Sequence, residues 1–271
     1  MKNLIKYFLP PALISLYRKF FISSIKFSKD YSNWNEAKFH SDGYDLDLIL
    51  SKVKNASLKV KNNEFAYERD SVLFNQLDYS WQVTTALLLA AARSQGNLNV
   101  LDFGGSLGSS YYQNRIFLNL LPKVHWGIVE QPNFVKAGRE NFSDSNLEFY
   151  ENISDFMLDN LPNVILLSSV LQYLEDPYAE IKKLSHLDAT ILVLDRTPFY
   201  NGDIDKIIIQ SVPSQIYKAS YPMRIFSKTK FLNVMKEYWN VLDQREAIGG
   251  TIKTDGGITM TFMGMIFEVK K

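Results

Sequence analysis

A glycine-rich turn constrains the fold of this chain more than any other feature. A mostly apolar run at 98–101 is followed by three glycines within five positions, Gly104, Gly105 and Gly108, and then by a helix-compatible segment at 111–121. Glycine lets the backbone turn tightly and approach a ligand without a Cβ clash, and N–H groups at a helix start face polar ligands. The pattern predicts a strand, a turn and a helix that bind a nucleotide-like ligand.

The spacing of the small residues distinguishes between nucleotide-binding loops. Dinucleotide-binding proteins use G-x-G-x-x-G, but Ser109 occupies the third glycine position here. A phosphate-binding loop would end in Gly-Lys-Ser or Gly-Lys-Thr, which this turn lacks. The observed order is Asp102, Gly104, Ser106 and Gly108. It resembles the first motif of class I S-adenosylmethionine (SAM) methyltransferases, with serine at the middle glycine; an ordinary strand-turn-helix is the alternative.

An acid follows the next predicted strand. Residues 124–129 are mostly apolar and end at Glu130, which lies 28 residues after Asp102. In a doubly wound sheet this strand neighbours the first one, and an acid at its tip meets the ribose hydroxyls of the ligand. A carboxylate can accept both hydrogen bonds of a vicinal diol. Ribose binding is therefore favoured over a merely solvated residue.

Composition excludes several classes of function. The 271 residues are 46% hydrophobic and 22% charged, as expected of a large α/β domain with an appendage. A net charge of +1 gives no overall electrostatic attraction to nucleic acid, so no nucleic-acid partner is expected. The absence of cysteine excludes disulfides, thiolate nucleophiles and cysteine-based zinc sites. No metal is expected, because the three histidines are scattered and the fourth predicted strand ends in two serines.

Strands and helices alternate after residue 98, which predicts a mostly parallel sheet with ligands at the carboxyl ends of its strands. The later predicted strands are 147–150, 163–167, 189–194, 239–245 and 259–269, with a helix at 179–187. The last two strands predict an antiparallel closing hairpin at the sheet edge. Residues 98–271 are therefore interpreted as one α/β domain with a doubly wound, Rossmann-like sheet.

The first 26 residues differ from the rest of the chain. They contain five Lys or Arg residues, no acid, many aromatic and aliphatic residues, and Pro10-Pro11 in the middle of an uncharged run. The run is too short to span a bilayer. A basic amphipathic segment of this kind can lie on an anionic membrane surface. The alternative is a helix packed on the domain or on a partner subunit.

Residues 27–97 are predicted to form a helical N-terminal region. Apolar spacing predicts helices at 45–53 and 71–93, the second broken near Asp78. Between them lies a polar cluster at 67–70. It is either the capped start of a helix or part of a lid over the active site.

Several stretches of the chain are similar to one family of SAM-dependent methyltransferases found in bacterial polysaccharide and O-antigen gene clusters. They are YERDSVLF (67–74), VLDFGGSLGSSYYQNR (100–115), VEQPNFV (129–135), LLSSVLQYLEDPY (166–178), DRTPF (195–199) and IYKASYPMRIF (216–226). The resemblance implies the class I fold and SAM as methyl donor, but supplies no acceptor. A glycan or nucleotide-sugar acceptor and a cytoplasmic location, with possible contact to the inner membrane face, are the corresponding expectations.

When the family's cofactor-binding positions are matched to this sequence, the resemblance implies a cofactor site. The loop at the methionine side would be formed by Asp102, Gly104, Gly105, Ser106 and Gly108. Glu130 would bind the ribose, with Gln131 beside the adenine. The adenine edge would be bound by Asn152, or by Glu151 or Asp155, and the sulfonium end would lie above Ser168 and Ser169.

Acceptor residues are predicted from the other strand tips. Asp195 is the first candidate for a general base, worth ~10²–10⁴-fold in rate; its alternative role is an ion pair with Arg196 or a helix cap. Segment 197–225 supplies stacking faces and hydrogen-bonding groups suited to a sugar, although it could be an ordinary helical crossover. The predicted acceptor-binding residues are Arg69, Tyr173, Arg196, Gln210, Tyr217 and Tyr221.

Two other functions remain compatible with these patterns. One is a binding subunit of a polysaccharide assembly complex that keeps the SAM fold without catalysis. The other is a nicotinamide-dependent sugar reductase, which the glycine spacing and the closing hairpin disfavour. Asp102, the glycine turn and Glu130 together favour the methyltransferase.

Overall fold

A computed structural model describes residues 25–43, 46–214 and 216–270 of the protein. Its helices are α1 (Trp34–Phe39), α2 (Leu46–Lys61), α3 (Trp81–Arg93), α4 (Ser109–Leu118), α5 (Pro132–Asn141), α6 (Ile153–Met157), α7 (Pro177–Leu184) and α8 (Lys228–Met235). Its strands are β1 (Lys26–Phe27), β2 (Tyr67–Arg69), β3 (Val72–Phe74), β4 (Asn97–Phe103), β5 (Lys123–Val129), β6 (Leu147–Tyr150), β7 (Val164–Ser168), β8 (Ile191–Tyr200), β9 (Lys206–Val212), β10 (Ala219–Ser227), β11 (Trp239–Lys253) and β12 (Thr259–Val269).

Five parallel strands form the centre of a ten-stranded sheet, in the order β6-β5-β4-β7-β8. The chain starts at the middle strand β4, winds outward to β6, and then returns to β7 on the other side. The switch therefore lies between β4 and β7, where Asp102 pairs in register with Ile128 of β5 and Leu166 of β7. Ligands bind at the carboxyl ends of strands beside such a switch.

The last two strands close the sheet as an antiparallel hairpin. Strand β12 lies between β8 and β11 and pairs antiparallel with both. Its central residues Met265, Ile266 and Phe267 are all buried, as an inserted strand requires on both faces. The predicted class I fold, a doubly wound α/β sheet with a closing antiparallel hairpin, is confirmed by this strand order and register.

Alternate residues of the central strands supply two hydrophobic cores on opposite faces of the sheet. Val100 of β4 packs in the core under α2 to α5, whereas Leu101 packs in the core under α6 to α8. The same alternation distinguishes Leu166 from Leu167 in β7. Helices therefore cover both faces. None of the helices in the described part of the chain is long and apolar enough to cross a membrane.

Strand β8 extends farther than the predicted strand 189–194. Its last pair with β7 joins Asp195 to Ser168, and the strand then continues to Tyr200, antiparallel to β12 and parallel to the end of β10. The register with β12 shifts at this point, and Arg196 has a left-handed φ of 50°. Asp195 consequently lies at the carboxyl edge of the parallel sheet but inside a strand.

The segment after β8 is not a helical crossover. Strands β9 and β10 form an antiparallel pair, in which Gln210 lies opposite Tyr221, and β1 pairs with the outer edge of β9. Both strands project beyond the parallel sheet and form a wall at its carboxyl edge. This antiparallel pair places two of the predicted acceptor residues, Gln210 and Tyr221, side by side.

The N-terminal region is less helical than predicted. Helix α2 covers the predicted segment from its first described residue, Leu46, but 71–93 is helical only from Trp81. Residues 67–74 form the hairpin β2–β3, whose turn residues Asp70 and Ser71 both have positive φ, 51° and 66°. The first 24 residues of the predicted amphipathic segment lie outside the described part of the chain.

Candidate active site

A cavity of about 720 Å³ opens at the carboxyl ends of β4, β5, β7 and β8. One half is lined by the glycine loop and the end of β5, and the other by α1, β9 and β10, with hairpin β2–β3 at the side. The predicted residues that line it are Arg69, Gly104, Gly105, Ser106, Glu130, Gln131, Ser168, Ser169, Tyr173, Arg196, Gln210, Tyr217 and Tyr221. The two predicted half-sites therefore meet in one space.

The glycine loop is built around close approaches that a side chain would prevent. The N–H of Gly104 donates to the Val129 carbonyl at 2.9 Å, and its φ is 73°. A Cβ at Gly105 would lie 2.5 Å from the carboxylate of Asp102. Ser106, in place of the usual glycine, has a φ of 55° and so adopts the left-handed conformation that glycine would adopt. The substitution leaves the shape of the loop intact.

Asp102 supports this loop from beneath and does not line the cavity. Its Oδ2 accepts a hydrogen bond from the indole N–H of Trp126 at 2.9 Å, whereas its buried Oδ1 has no partner among the described residues. Burial raises its pKa to about 7, an effect that the Trp126 hydrogen bond opposes and Glu130 reinforces. Its role is therefore to support the loop, because its carboxylate does not reach the cavity.

Glu130 lies on the cavity wall at the end of β5. It accepts the N–H of Gln131 at 2.7 Å, and this fixes its carboxylate beside the glycine loop. Burial raises the pKa of Glu130, and the backbone N–H groups of Gln131 and Ser106 oppose that rise. Its position at the tip of the strand adjacent to β4 is the predicted position of a ribose-binding acid.

Besides Asp102, two predicted cofactor residues lie off the cavity. Gly108 caps the start of α4 with a φ of 95°, so its role is to turn the chain into the helix. Asn152 caps α6, because its side-chain oxygen accepts the N–H of Asp155 at 2.8 Å and its amide donates to the Asp155 carboxylate. The prediction that Asn152 binds the adenine edge is therefore not supported by its contacts: both polar atoms of its side chain are used in the cap.

Asp195 is also held away from the cavity. Its carboxylate accepts hydrogen bonds from the hydroxyls of Ser80 at 2.8 Å and Ser168 at 2.9 Å, and it lies 3.3 Å from the guanidinium of Arg196. The residue is 4% exposed and is not part of the cavity wall. These contacts match the alternative prediction, an ion pair with Arg196, and leave no free oxygen for an acceptor hydroxyl.

The acceptor half is lined by aromatic hydroxyls and an amide that bond to one another. Tyr173 donates to the Gln210 side-chain oxygen at 3.0 Å, and Gln210 donates to the Tyr221 hydroxyl at 3.3 Å. The rings of Tyr173 and Tyr221 meet edge to face, with centroids 5.3 Å apart. Arg196 completes the floor and pairs with Asp70 of the hairpin at 3.6 Å. This surface offers ring faces and polar groups together.

The sequence placed Glu68 in the polar cluster 67–70, but predicted an individual role only for its neighbour Arg69. Glu68 is 2% exposed and lines the cavity, where it accepts hydrogen bonds from the Ser109 hydroxyl and, at 3.2 Å, from the Ser71 N–H. Burial raises its pKa to about 7, against the effect of the Ser109 hydrogen bond. The sequence did carry a signal for this residue: an acid inside a dense polar cluster that is followed by the apolar run 72–74.

No protein-family model matches the chain, and no curated protein sequence matches it. Several solved structures are similar. The N-terminal domain of EvdMO1, crystallised in the presence of S-adenosylhomocysteine (SAH) and D-fucose, is 13% identical with a TM-score of 0.48, covering 84% of this chain and 98% of that one.

Two further structures show a similar degree of likeness. A SAM-dependent methyltransferase from Clostridium acetobutylicum ATCC 824 is 11% identical, with a TM-score of 0.47 and coverage of 72% of this chain and 93% of that one. The glycopeptide N-methyltransferase MtfA complexed with SAM is 13% identical, with a TM-score of 0.44 and coverage of 70% and 94%. The assignment of the fold rests on the strand order and register of this chain itself.

Proposed function

We propose that this chain is a SAM-dependent methyltransferase that methylates a hydroxyl group of a sugar. One observation carries the proposal. The glycine loop after β4 and Glu130 after β5 face the same cavity as the linked side chains of Tyr173, Gln210 and Tyr221. A nucleoside-binding half and a polar aromatic half share one space, as a group transfer between two bound molecules requires.

The residues present fit SAM. Backbone groups of Gly104 to Ser106 would hold the methionine side, and the carboxylate of Glu130 would accept both ribose hydroxyls. Gln131 and the buried Phe134 line the wall beyond Glu130, where the adenine would lie. Asp102, buried beneath the loop and outside the cavity wall, would support the backbone of this cradle without touching the ligand.

When bound, SAM supplies an electrophilic methyl group together with its own leaving group. Tyr173, Gln210 and Tyr221 would hold the acceptor hydroxyl toward that methyl group, and the hydroxyl proton would leave to solvent as the methyl group is transferred. The protein's contribution is to position the acceptor and to exclude water. Asp195 contributes by holding Ser168 and Arg196 at the cavity floor.

The acceptor class follows from the lining of the second half. Tyrosine rings offer apolar faces with a polar tip, and the Tyr173-Gln210-Tyr221 series can exchange hydrogen bonds with several hydroxyls. A small number of convergent polar groups on an aromatic wall is typical of small-molecule sites. Together with the sequence resemblance, this favours a glycan or nucleotide-sugar of surface polysaccharide biosynthesis.

The rival functions differ from this proposal in specific features. A nicotinamide-dependent reductase would need a parallel dinucleotide-binding sheet, whereas β12 is antiparallel to both of its neighbours. A binding subunit without catalysis would bind SAH but transfer no methyl group. Only a measurement of turnover therefore distinguishes this binding subunit from the enzyme.

Calorimetry with SAH tests the cofactor site. Glu130→Ala should weaken binding by roughly 1.5–3 kcal/mol, because two hydrogen bonds to a charged group are lost. Glu140→Ala, at an exposed position of α5, is the matched control and should bind as the wild type does. Unchanged SAH affinity in Glu130→Ala would remove the ribose assignment. A screen for transfer of a labelled methyl group to nucleotide-sugars and glycans then tests the acceptor class.

We also propose that the protein works on the cytoplasmic side of a membrane that carries its acceptor. The described chain begins at Ile25, which lines the acceptor half of the cavity. The basic, aromatic segment joins the described chain at this residue, on the cavity rim. Near that rim, α1 exposes Phe39 (85% exposed) and Lys38, while its Trp34 lines the cavity.

A further inference from the structure

Strand β2 lines the cavity and has two chemically different faces. Consecutive residues of a strand point to opposite faces, so Tyr67 and Arg69 share one face and Glu68 lies on the other. Glu68 bonds to the Ser109 hydroxyl at the start of α4, directly after the glycine loop. On the other face, the ring of Tyr67 and the guanidinium of Arg69 lie 6.0 and 5.3 Å from the ring centroid of Phe74. Arg69 therefore points away from the glycine loop.

The face that carries Tyr67 and Arg69 is directed toward the floor of the acceptor half. Burial raises the pKa of the Tyr67 hydroxyl, and the positive charges of Arg196 and Arg69 both oppose that rise. Two guanidinium groups therefore lie near one hydroxyl. The charge of Arg196 also acts on Tyr173, in the wall of the acceptor half. The acceptor half thus has a cation on its floor and a second cation at its side.

These two guanidinium groups differ in their partners. That of Arg196 lies 3.3 Å from the carboxylate of Asp195 and 3.6 Å from that of Asp70. In contrast, Arg69 has no carboxylate of the described residues in ion-pair contact, and its buried Nη1 has no hydrogen-bond acceptor among them. A guanidinium is always charged, and burying its N–H groups without acceptors is costly. The described protein therefore leaves the charge of Arg69 uncompensated.

The partner that Arg69 lacks is an anion with oxygen acceptors. The planar fork of guanidinium N–H groups matches the oxygens of a carboxylate or a phosphate. The two neighbouring acids do not supply this anion, because Glu68 lies on the other face and Asp70 pairs with Arg196. A neutral sugar hydroxyl would accept a hydrogen bond but would not neutralise the charge. The missing anion therefore belongs to the ligand of the acceptor half.

We propose that the acceptor is an anionic sugar and that Arg69 binds its carboxylate or phosphate group, with the charge of Arg196 adding to the attraction. This inference rests on the proposed function and names its substrate class. The uncharged part of the sugar lies against the wall formed by Tyr173, Gln210 and Tyr221. The charged group then determines which hydroxyl is turned toward the cofactor. A uronic acid and a sugar phosphate supply the same chemistry from two sources.

Equilibrium binding to the SAH-saturated protein tests this with glucose, glucuronate and glucose 1-phosphate, which differ in charge. At least one of the two charged ligands should bind the wild type at least about tenfold more tightly than glucose does. Arg69→Gln keeps hydrogen-bond donors but removes the charge, so it should abolish this preference. Arg245→Gln, at an exposed position of β11, is the matched control and should retain the preference. The charged ligand that binds more tightly identifies the source as a uronic acid or a sugar phosphate.

The other outcomes overturn defined statements. Equal binding of glucose and the charged ligands, or a preference that survives in Arg69→Gln, would overturn the anion assignment and leave the proposed function in place. The same conclusion follows if the protein binds SAH but neither charged ligand at millimolar concentration. A wild-type protein that does not bind SAH would overturn the proposed function and this inference together.

Chemical modification supplies a second readout that needs no substitution, and it decides if Arg69→Gln does not fold. Phenylglyoxal modifies arginine side chains, and peptide mass spectrometry measures the extent of modification at each residue. In the SAH-saturated wild type, the bound charged ligand should slow modification of Arg69, whereas glucose at the same concentration should not. Arg245 should react equally in every sample. Equal modification of Arg69 with and without the charged ligand would overturn the proposed contact.

Discussion

The hydroxyl of Ser80 donates a 2.8 Å hydrogen bond to the carboxylate of Asp195, although the two residues are 115 positions apart in the chain. Ser80 directly precedes α3, and Asp195 lies at the last parallel pair between β7 and β8. The bond therefore fixes the start of a buried helix to the floor of the cavity. Both residues are buried, so this contact is shielded from water.

Replacing Asp195 distinguishes a structural role from a catalytic one. In Asp195→Asn, the amide nitrogen cannot accept a hydrogen bond from Ser80 or Ser168, and Arg196 loses a partner. The free energy of unfolding should fall by roughly 1.5–3 kcal/mol, measured by denaturant titration. Ser168→Ala, which removes only one of these bonds, should cost less. Unchanged stability with ~10²-fold lower turnover would instead support the general-base role.

The pKa of Glu68 predicts how stability depends on pH. Burial raises this pKa from 4.5 to about 7, so the folded state binds a proton more tightly than the unfolded state does. The stabilisation is complete below pH 4.5 and is lost as the pH rises through about 7. Glu68→Gln mimics the protonated form, so it should be more stable than wild type at pH 8, by at most about 3 kcal/mol, with little difference at pH 4.5.

Thermal unfolding of both proteins between pH 4.5 and 8 measures this difference. Asp102 has a pKa raised in the same direction, so the wild-type and variant curves should both decline with pH. The difference between them belongs to Glu68. Exposed Glu64→Gln is the control and should give a constant difference from wild type. A constant difference for Glu68→Gln as well would show that the pKa of Glu68 is the same in the folded and unfolded protein.

Ser106 predicts a gain of stability from a substitution in the cofactor loop. Its φ of 55° places a side chain in a conformation that costs an L-residue roughly 1–2 kcal/mol and costs glycine almost nothing. Glycine is also more flexible in the unfolded chain, which offsets part of the gain. Ser106→Gly should therefore leave stability equal or higher by up to about 1 kcal/mol, with SAH affinity retained. A clear loss of affinity would show that the Ser106 hydroxyl contacts the cofactor.

Local sequence patterns were sufficient to predict the centre of the fold. The predicted strand 147–150 coincides with β6, β5 begins one residue before the predicted 124–129, and β4 extends the predicted run 98–101 to 97–103. These strands are short apolar runs bounded by turn residues, and the glycine loop is a local signal. The closing hairpin was predicted because the last strand is apolar on both faces. Such features depend on neighbouring residues in the sequence.

The features that the sequence did not predict depend on contacts between residues that are far apart in the chain. Hairpin β2–β3 was missed because its strands have three residues each and its turn, Asp70-Ser71, adopts positive φ without glycine. The capping role of Asn152 was missed because a residue at a strand tip looks the same whether it faces a ligand or a helix. Asp195 was predicted at the tip of a strand, but its partner Ser80 could not be inferred from spacing.

The last prediction concerns the segment before Ile25. Each Lys or Arg near an anionic leaflet contributes about 1 kcal/mol, and apolar insertion adds to this. Residues 1–24 contain four such residues, Lys2, Lys6, Arg18 and Lys19. Deleting residues 1–24 should abolish sedimentation with anionic liposomes while SAH affinity is retained. The deletion stops there because Lys26 and Phe27 pair with β9 and belong to the fold.

Salt and charge separate the two contributions to this binding. High salt should weaken the association of the full-length protein with anionic liposomes, because it screens exposed charges. Replacing the four basic residues by glutamine should have a similar effect at low salt, with the apolar residues left in place. Neutral liposomes should bind the wild type weakly. If the full-length protein does not sediment with anionic liposomes even at low salt, the segment binds protein instead. Sedimentation equilibrium of the full-length and shortened chains would then reveal an assembly that only the full-length chain forms.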